Sequence, residues 1–171
     1  MTTATVKTAL LTVPAIVIVG TLMGVVSNSG FDNGWYAALA KPSFQPPAWM
    51  FGVVWTALYA MMGIALAIVM NAPPSGQRSV ALVLFFFQLT LNFSWSPIFF
   101  GARMIDLALL VIATMLILVT VTVIRFGGIS KLAGALLIPY LAWLCLATAL
   151  NYETGRLNPG ADSAPLGLTG A

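Results

Sequence analysis

Charged residues are so sparse in this chain that they divide it by themselves. Uncharged runs cover residues 8–31, 42–77, 79–102, 107–124 and 132–152. A helix needs about 20 mostly apolar residues to cross ~30 Å of hydrocarbon. Trimming turn residues from each run leaves expected spans at about 9–26, 50–71, 80–100, 107–124 and 132–151. A transmembrane barrel would instead need segments of ~10 residues that alternate apolar and polar, and no such alternation is present. The chain therefore reads as all-α, an integral membrane bundle of five transmembrane helices and a multi-pass protein. Composition agrees: 6% of the residues are charged, against about 25% in soluble domains, too few to coat a water-facing globule. A soluble enzyme and a disordered chain are thereby excluded.

The first run admits a second reading. Lys7, an apolar stretch and Val25-Val26-Ser27 resemble a signal peptide with a small residue at its cleavage site. The stretch of 18 residues exceeds the usual ~7–15 of such a core, which favours a retained helix. The connections are short except for the segment 27–48, which carries Asp32, Lys41 and three prolines beside Trp35 and Tyr36. Proline fixes φ and aromatics settle at the headgroup level, so this loop is expected to cap one end of the bundle. The domain is expected to end near residue 153, with 154–171 a disordered tail rich in Gly and Pro. Five spans place Lys7, Arg78, Arg125 and Lys131 at one end and Lys41, Arg103 and Arg156 at the other, a slight positive-inside bias toward a cytoplasmic N-terminus.

Seven cations and four anions are scattered singly, so no basic patch exists to grip phosphate and no nucleic-acid partner is expected. The chain has no His and one Cys, Cys145, which removes intrachain disulfides and leaves no expected metal site. No paired carboxylates or activated nucleophile can be assembled from the remaining residues. Asp106 falls at the expected start of the fourth span, where a carboxylate complements the helix dipole. Cys145 reads as an inert small hydrophobe within its span. Gly20 and Gly24 form a GxxxG pattern that permits close helix contact, read as packing inside the monomer. Pro97 and Pro139 are expected to bend their helices.

Polar and aromatic residues inside spans carry the remaining information. At about 100° per residue, Gln88, Asn92 and Trp95 share a stripe of the third span. Trp55, Tyr59 and Met62 do the same in the second, and Tyr140, Trp143, Ala147 and Asn151 in the fifth. If these faces converge they enclose a flat-walled, sparsely polar pocket suited to a planar aromatic ligand. The alternative is plain packing: interfacial anchoring accounts for Trp35 and Trp49, and span amides often only join helices. Leu150, Tyr152 and Arg156 also fit a loose pattern proposed for sterol contact.

Three blocks carry a resemblance. The first runs through Trp35-Tyr36-Ala37-Ala38-Leu39-Ala40-Lys41-Pro42, then Pro46-Pro47, Val54-Trp55-Thr56 and Leu58-Tyr59. The second joins Gln88, Leu91-Asn92 and Trp95-Ser96-Pro97-Ile98-Phe99-Phe100-Gly101. The third joins Pro139-Tyr140-Leu141-Ala142-Trp143 and Leu150-Asn151-Tyr152. In this order and spacing they resemble the TspO/MBR family of tryptophan-rich sensory proteins and the mitochondrial translocator protein. One departure is Phe44, where the family motif commonly has Trp, and the segment after Arg156 matches nothing in the family pattern.

The resemblance implies a five-helix bundle, often a homodimer, whose first loop closes a porphyrin pocket, and it suggests a bacterial envelope membrane. It implies that Trp55 and Trp143 correspond to residues used by members that degrade protoporphyrin IX in light. It also implies that Leu150, Tyr152 and Arg156 match a sterol site of animal members. Protoporphyrin IX or a related tetrapyrrole is the expected ligand, with no tightly bound cofactor; without His the chain offers iron no imidazole, which favours the metal-free ring. The expected ligand-binding set is Trp35, Lys41, Trp49, Trp55, Tyr59, Gln88, Asn92, Trp95, Tyr140, Trp143 and Ala147, with Lys41 as the cation for a propionate. Partners are then the lipid bilayer, a porphyrin and, in a third reading, a sterol. The readings rank as binding for sensing, regulation or transport; then a light-dependent porphyrin-degrading enzyme; then a sterol or lipid carrier.

Overall fold

A computed structural model describes residues 1–169. It contains five helices long and apolar enough to span a membrane, together with one short helix and no strand among the described residues. The spans are α1 (Thr3–Val26), α3 (Ala48–Met70), α4 (Gly76–Ser96), α5 (Ile105–Ile129) and α6 (Lys131–Leu157), with the short α2 (Gly34–Ala38) in the first loop. The expected spans 9–26, 107–124 and 132–151 lie inside α1, α5 and α6, while 50–71 overruns α3 by one residue and 80–100 runs past the end of α4 into the turn that follows it. The helices run further because charged and polar end residues can extend beyond the hydrocarbon into the headgroup layer.

Capping sets several starts. Thr2, Asn33, Ser75 and Ser130 each accept a backbone N–H of the first turn of α1, α2, α4 and α6, satisfying donors that a helix cannot pair internally. Pro97, which lacks an N–H, ends the regular part of α4. The chain continues as a π-helical turn over Pro97–Gly101, closed by Ala102 N–H donating to Pro97 O at 2.8 Å.

Small residues set the tightest crossings. A Cβ on Gly63 of α3 would lie 2.6 Å from Val13 Cα of α1, and Thr12 Oγ1 donates to Gly63 O at 2.8 Å across the same crossing. Gly134 of α6 meets the Gly127 backbone of α5 in the same way. Gly20 makes room for the Tyr59 ring, so this half of the GxxxG pattern serves packing within the chain. The core is a continuous apolar cluster from α1, α3, α4, α5 and α6, built around Met62, Phe85, Met115, Leu137 and Leu144.

Two expectations change here. The segment expected to be disordered after residue 153 continues α6 to Leu157 and then folds back over the start of α5 as far as Thr169; residues 170 and 171 lie outside the described residues. The anchor is Asp106, fully buried. Its carboxylate accepts from Leu166 N at 2.8 Å, Leu168 N at 3.1 Å and Thr169 Oγ1 at 2.9 Å. A carboxylate taken out of water needs such donors, so Asp106 secures the tail instead of its own helix. The N-terminal cap of α5 comes from Asp162, whose Oδ2 accepts Asp106 N–H at 2.7 Å. Cys145 is exposed on the bundle exterior, because its position on α6 turns away from the stripe that faces inward.

The topology also sorts charge. The end holding the N-terminus carries Lys7, Arg78, Arg125 and Lys131 with no acidic side chain, formally +4. The opposite end, with the long loop and the tail, carries three cations and four acids, formally −1.

Candidate ligand-binding site

The inward stripes converge toward the long-loop end of the bundle. They bound a cavity of about 390 Å³, within the size range of small-molecule sites. Helix α3 supplies Phe51, Trp55 and Tyr59, α4 and its π-turn supply Asn92, Trp95, Phe99 and Phe100, and α6 supplies Trp143, Ala147 and Leu150. Phe31, Tyr36 and Gln45 enter from the loop.

The aromatic walls hold one another in place. Trp55 meets Trp143 edge to face at 6.5 Å and lies tilted on Tyr59 at 5.2 Å. Trp143 also meets Phe51 at 5.6 Å. Trp95 stacks on Phe99 at 4.9 Å with 17° between the planes, and Phe100 sets its ring against that pair. The π-turn explains the last arrangement, since it delays the helical rotation and brings Phe99 and Phe100 both within reach of Trp95. Such pairs add about 0.5–1.5 kcal/mol each beyond the area they bury.

Two buried polar chains fix the walls from behind. Tyr59 Oη donates to Asn92 Oδ1 at 2.9 Å, Asn92 Nδ2 donates to Tyr140 Oη at 3.0 Å, and Tyr140 Oη donates to Gln88 Oε1 at 3.0 Å. This ties α3, α4 and α6 together at one level. Nearer the loop, Trp95 Nε1 donates to Asn151 Oδ1 at 3.1 Å while Asn151 Nδ2 donates to Ile105 O at 3.0 Å. No buried side-chain polar atom lacks a partner among the described residues. The indole N–H of Trp95 and the amides are therefore committed to structure.

Of the residues expected at the site, Trp55, Tyr59, Asn92, Trp95, Trp143 and Ala147 line the cavity. Gln88 and Tyr140 lie one layer behind, buried at 1% and 0% exposure, and act through the chain just described. Trp35 sits outside, edge-on to Phe99 at 5.7 Å. Trp49 is exposed, which suits an interfacial anchor, and Phe44 is exposed as well.

Lys41 does not reach the cavity. Its Nζ donates to Leu39 O at 2.6 Å and to Tyr36 O, and it lies 4.4 Å from the Tyr36 ring centroid. It thereby adds a charged donor at the carbonyl end of α2, where Leu39 N–H also donates to Tyr36 O, and partial burial lowers its pKa. The three residues of the sterol-type pattern also separate. Leu150 lines the cavity, whereas Tyr152 is exposed on the outer face and Arg156 pairs there with Glu153 at 2.6 Å. A two-residue step turns a helix by about 200°, so Leu150 and Tyr152 cannot share a face.

Sequence reasoning left out Gly20, Thr21, Gly24, Phe31, Gln45, Phe51, Gly52, Thr56, Phe99 and Phe100. Phe51 and Phe99 each lie four residues from a Trp already in a stripe, a helical spacing that could have included them. The loop residues and the glycines carry no such signal.

A five-helix membrane bundle that closes an aromatic cavity beneath a structured loop is thus the class of protein that fold and site define. The sequence model of the TspO/MBR family matches residues 12–157, and the chain belongs to that family. It is 42% identical over 126 residues to the tryptophan-rich protein TspO of Chlorobaculum tepidum, covering 73% of this chain and 80% of the relative. It is 40% identical over 144 residues to the human translocator protein, covering 81% and 85%. The similarity to protein CrtK of Rhodobacter capsulatus is 35% over 152 residues, covering 88% and 95%.

Proposed function

We propose that the cavity binds a flat, largely apolar aromatic ligand of the tetrapyrrole class, with protoporphyrin IX as the first candidate. The protein would act on it as a sensor, regulator or transporter. The observation that supports the reading is the lining itself: Trp55, Tyr59, Trp95, Phe99 and Trp143 around one cavity whose nearby amides are already paired. Such walls favour a disc recognised by stacking over a ligand recognised by many hydrogen bonds. No Lys or Arg lines the cavity among the described residues. The propionates of a porphyrin would then lie at the rim, toward headgroups and water, with the ring inside. The words "sensory" and "translocator" in the names of relatives agree with a binding role.

The test is titration of the purified protein with protoporphyrin IX in the dark, read by tryptophan quenching. Saturable quenching at micromolar concentration, weakened at least tenfold in Trp55→Ala and Trp143→Ala, is expected. Absence of saturable quenching in the wild type would overturn the reading.

One observation favours a second reading, light-dependent porphyrin degradation. Trp55 and Trp143 are ring neighbours and both line the cavity, so either indole lies within reach of a photoexcited pigment held there. Under illumination in air, loss of the porphyrin bands in the wild type but not in Trp143→Phe would support an enzyme. A porphyrin spectrum unchanged by light would leave a receptor or carrier.

A further inference from the structure

Two ends of the same helix pair behave differently, and the difference bears on how the cavity is reached. Where α1 and α3 cross, Val13 and Gly63 are in backbone contact and Thr12 bonds to Gly63 O. An eleven-residue step along both antiparallel helices leads from Val13 to Gly24 and from Gly63 to Gly52. A Cβ placed on Gly52 meets nothing within 4 Å, and one on Gly24 meets only Ser29 Oγ at 4.0 Å. At this level neither glycine's Cβ direction meets the facing helix, in contrast to the Gly63 crossing. Gly24 and Gly52, with Thr21 and Thr56, all line the cavity, and Thr21, Gly52 and Thr56 are at the same time exposed on the bundle surface. Small residues that are both exterior and cavity-lining are the rim of an opening. Gly52 and Thr56 lie within the first three turns of α3, a helix long and apolar enough to span a membrane.

The water-facing side is bolted. Asn158 grips the loop in both directions, with Ala40 N–H donating to its Oδ1 at 2.7 Å and its Nδ2 donating to Ala40 O at 2.9 Å. Ser29 Oγ and Ser96 Oγ bond at 3.1 Å, and Tyr36 Oη donates to Gln45 Oε1 at 3.3 Å. Lys41 holds the end of α2, and the tail that carries Asn158 is itself anchored on Asp106. Opening the loop breaks several of these together, whereas the slot between α1 and α3 needs none broken.

We propose that ligands reach the cavity sideways from the bilayer, through the slot between Gly24 of α1 and Gly52 of α3, and not from water through the loop. This rests on the cavity being a ligand site. It assigns the ligand to the class of membrane-partitioned, flat apolar molecules, and gives Gly24 and Gly52 the role of keeping the passage clear.

The test uses a reporter that needs no porphyrin. In phosphatidylcholine vesicles, the chain bearing Cys145→Ala and Ala147→Cys carries one thiol, and that thiol lies in the cavity. N-(1-pyrenyl)maleimide dissolved in the bilayer should label it. Adding Gly52→Leu, or Gly24→Leu on the opposite rim, should slow labelling at least tenfold. Asn158→Ala, which removes both bonds that tie Ala40 to the tail, should change the rate less than twofold. Absence of labelling, labelling indifferent to both rim leucines, or acceleration by Asn158→Ala would each overturn the proposal. With protoporphyrin IX, association and dissociation rates should fall together in Gly52→Leu. If the wild type fails to bind that porphyrin while the pyrene probe behaves as expected, the tetrapyrrole reading fails and the slot stands.

Discussion

Asn92 is the node of the polar chain behind the cavity, and removing it tests whether that chain holds the site. In Asn92→Leu, Tyr59 Oη loses its acceptor and Tyr140 Oη loses its donor, though Tyr140 keeps Gln88 as acceptor. Two opposing magnitudes apply. An orphaned buried polar group costs about 1–3 kcal/mol. Hydrogen bonds between membrane helices average only ~0.6 kcal/mol, because the unfolded chain in the bilayer also finds partners. Tyr59 is buried, at 8% exposure, and its hydroxyl has no second partner, so the orphan cost dominates there. The expected loss is about 1–3 kcal/mol for Asn92→Leu, which orphans the Tyr59 hydroxyl, and about the same for Tyr59→Phe, which orphans the buried Asn92 Oδ1. A double-mutant cycle in mixed micelles, read by reversible unfolding, should give a coupling of about 0.6–1.5 kcal/mol between the two. Each 1.4 kcal/mol is tenfold in the folded-to-unfolded ratio. A coupling below about 0.3 kcal/mol, with both single changes near zero, would show that the hydroxyl and the amide are neighbours without energetic consequence.

Other substitutions probe the remaining supports. Gly63→Ala puts a Cβ 2.6 Å from the Val13 backbone and should cost about 1–3 kcal/mol in the same unfolding assay, since overpacked backbone cannot yield like a side-chain tip. Gly20→Ala drives a Cβ into the Tyr59 ring; the ring must swing toward the cavity, and protoporphyrin IX affinity should fall about tenfold, equivalent to about 1.4 kcal/mol. Asp106→Ala deprives Leu166 N, Leu168 N and Thr169 Oγ1 of their acceptor. Hydrogen bonds to a charged group contribute about 1.5–3 kcal/mol each, so amide exchange at residues 166 and 168 should accelerate by at least tenfold, while Asn92 and Tyr140 protection is unchanged.

How far each residue could be placed from the sequence depended on whether its partner was local. The spans were legible because hydrocarbon tolerates so little charge that Lys7, Arg78, Arg103, Arg125 and Lys131 mark their ends. The stripes through Trp55, Asn92 and Trp143 were legible because helical rotation is uniform, so spacing alone places residues on a face. The place of Lys41 outside the cavity lining was not legible, because its partners, the carbonyls of Tyr36 and Leu39, become acceptors only once α2 ends between them. Trp35 and Trp49 share composition with the cavity tryptophans, and only packing decided which indoles face inward. The tail illustrates the limit most clearly. Asp106 reads as a helix-start carboxylate and residues 158–169 as a featureless Gly- and Pro-rich end, yet each is ordered by the other across some sixty positions. Within a helix, hydrophobicity and a fixed rotation per residue determine which side chains share a side. Which sides meet, whether Gly24 and Gly52 meet the facing helix, and what a loop or tail grips depend on contacts between distant residues, and those exist only in the folded bundle.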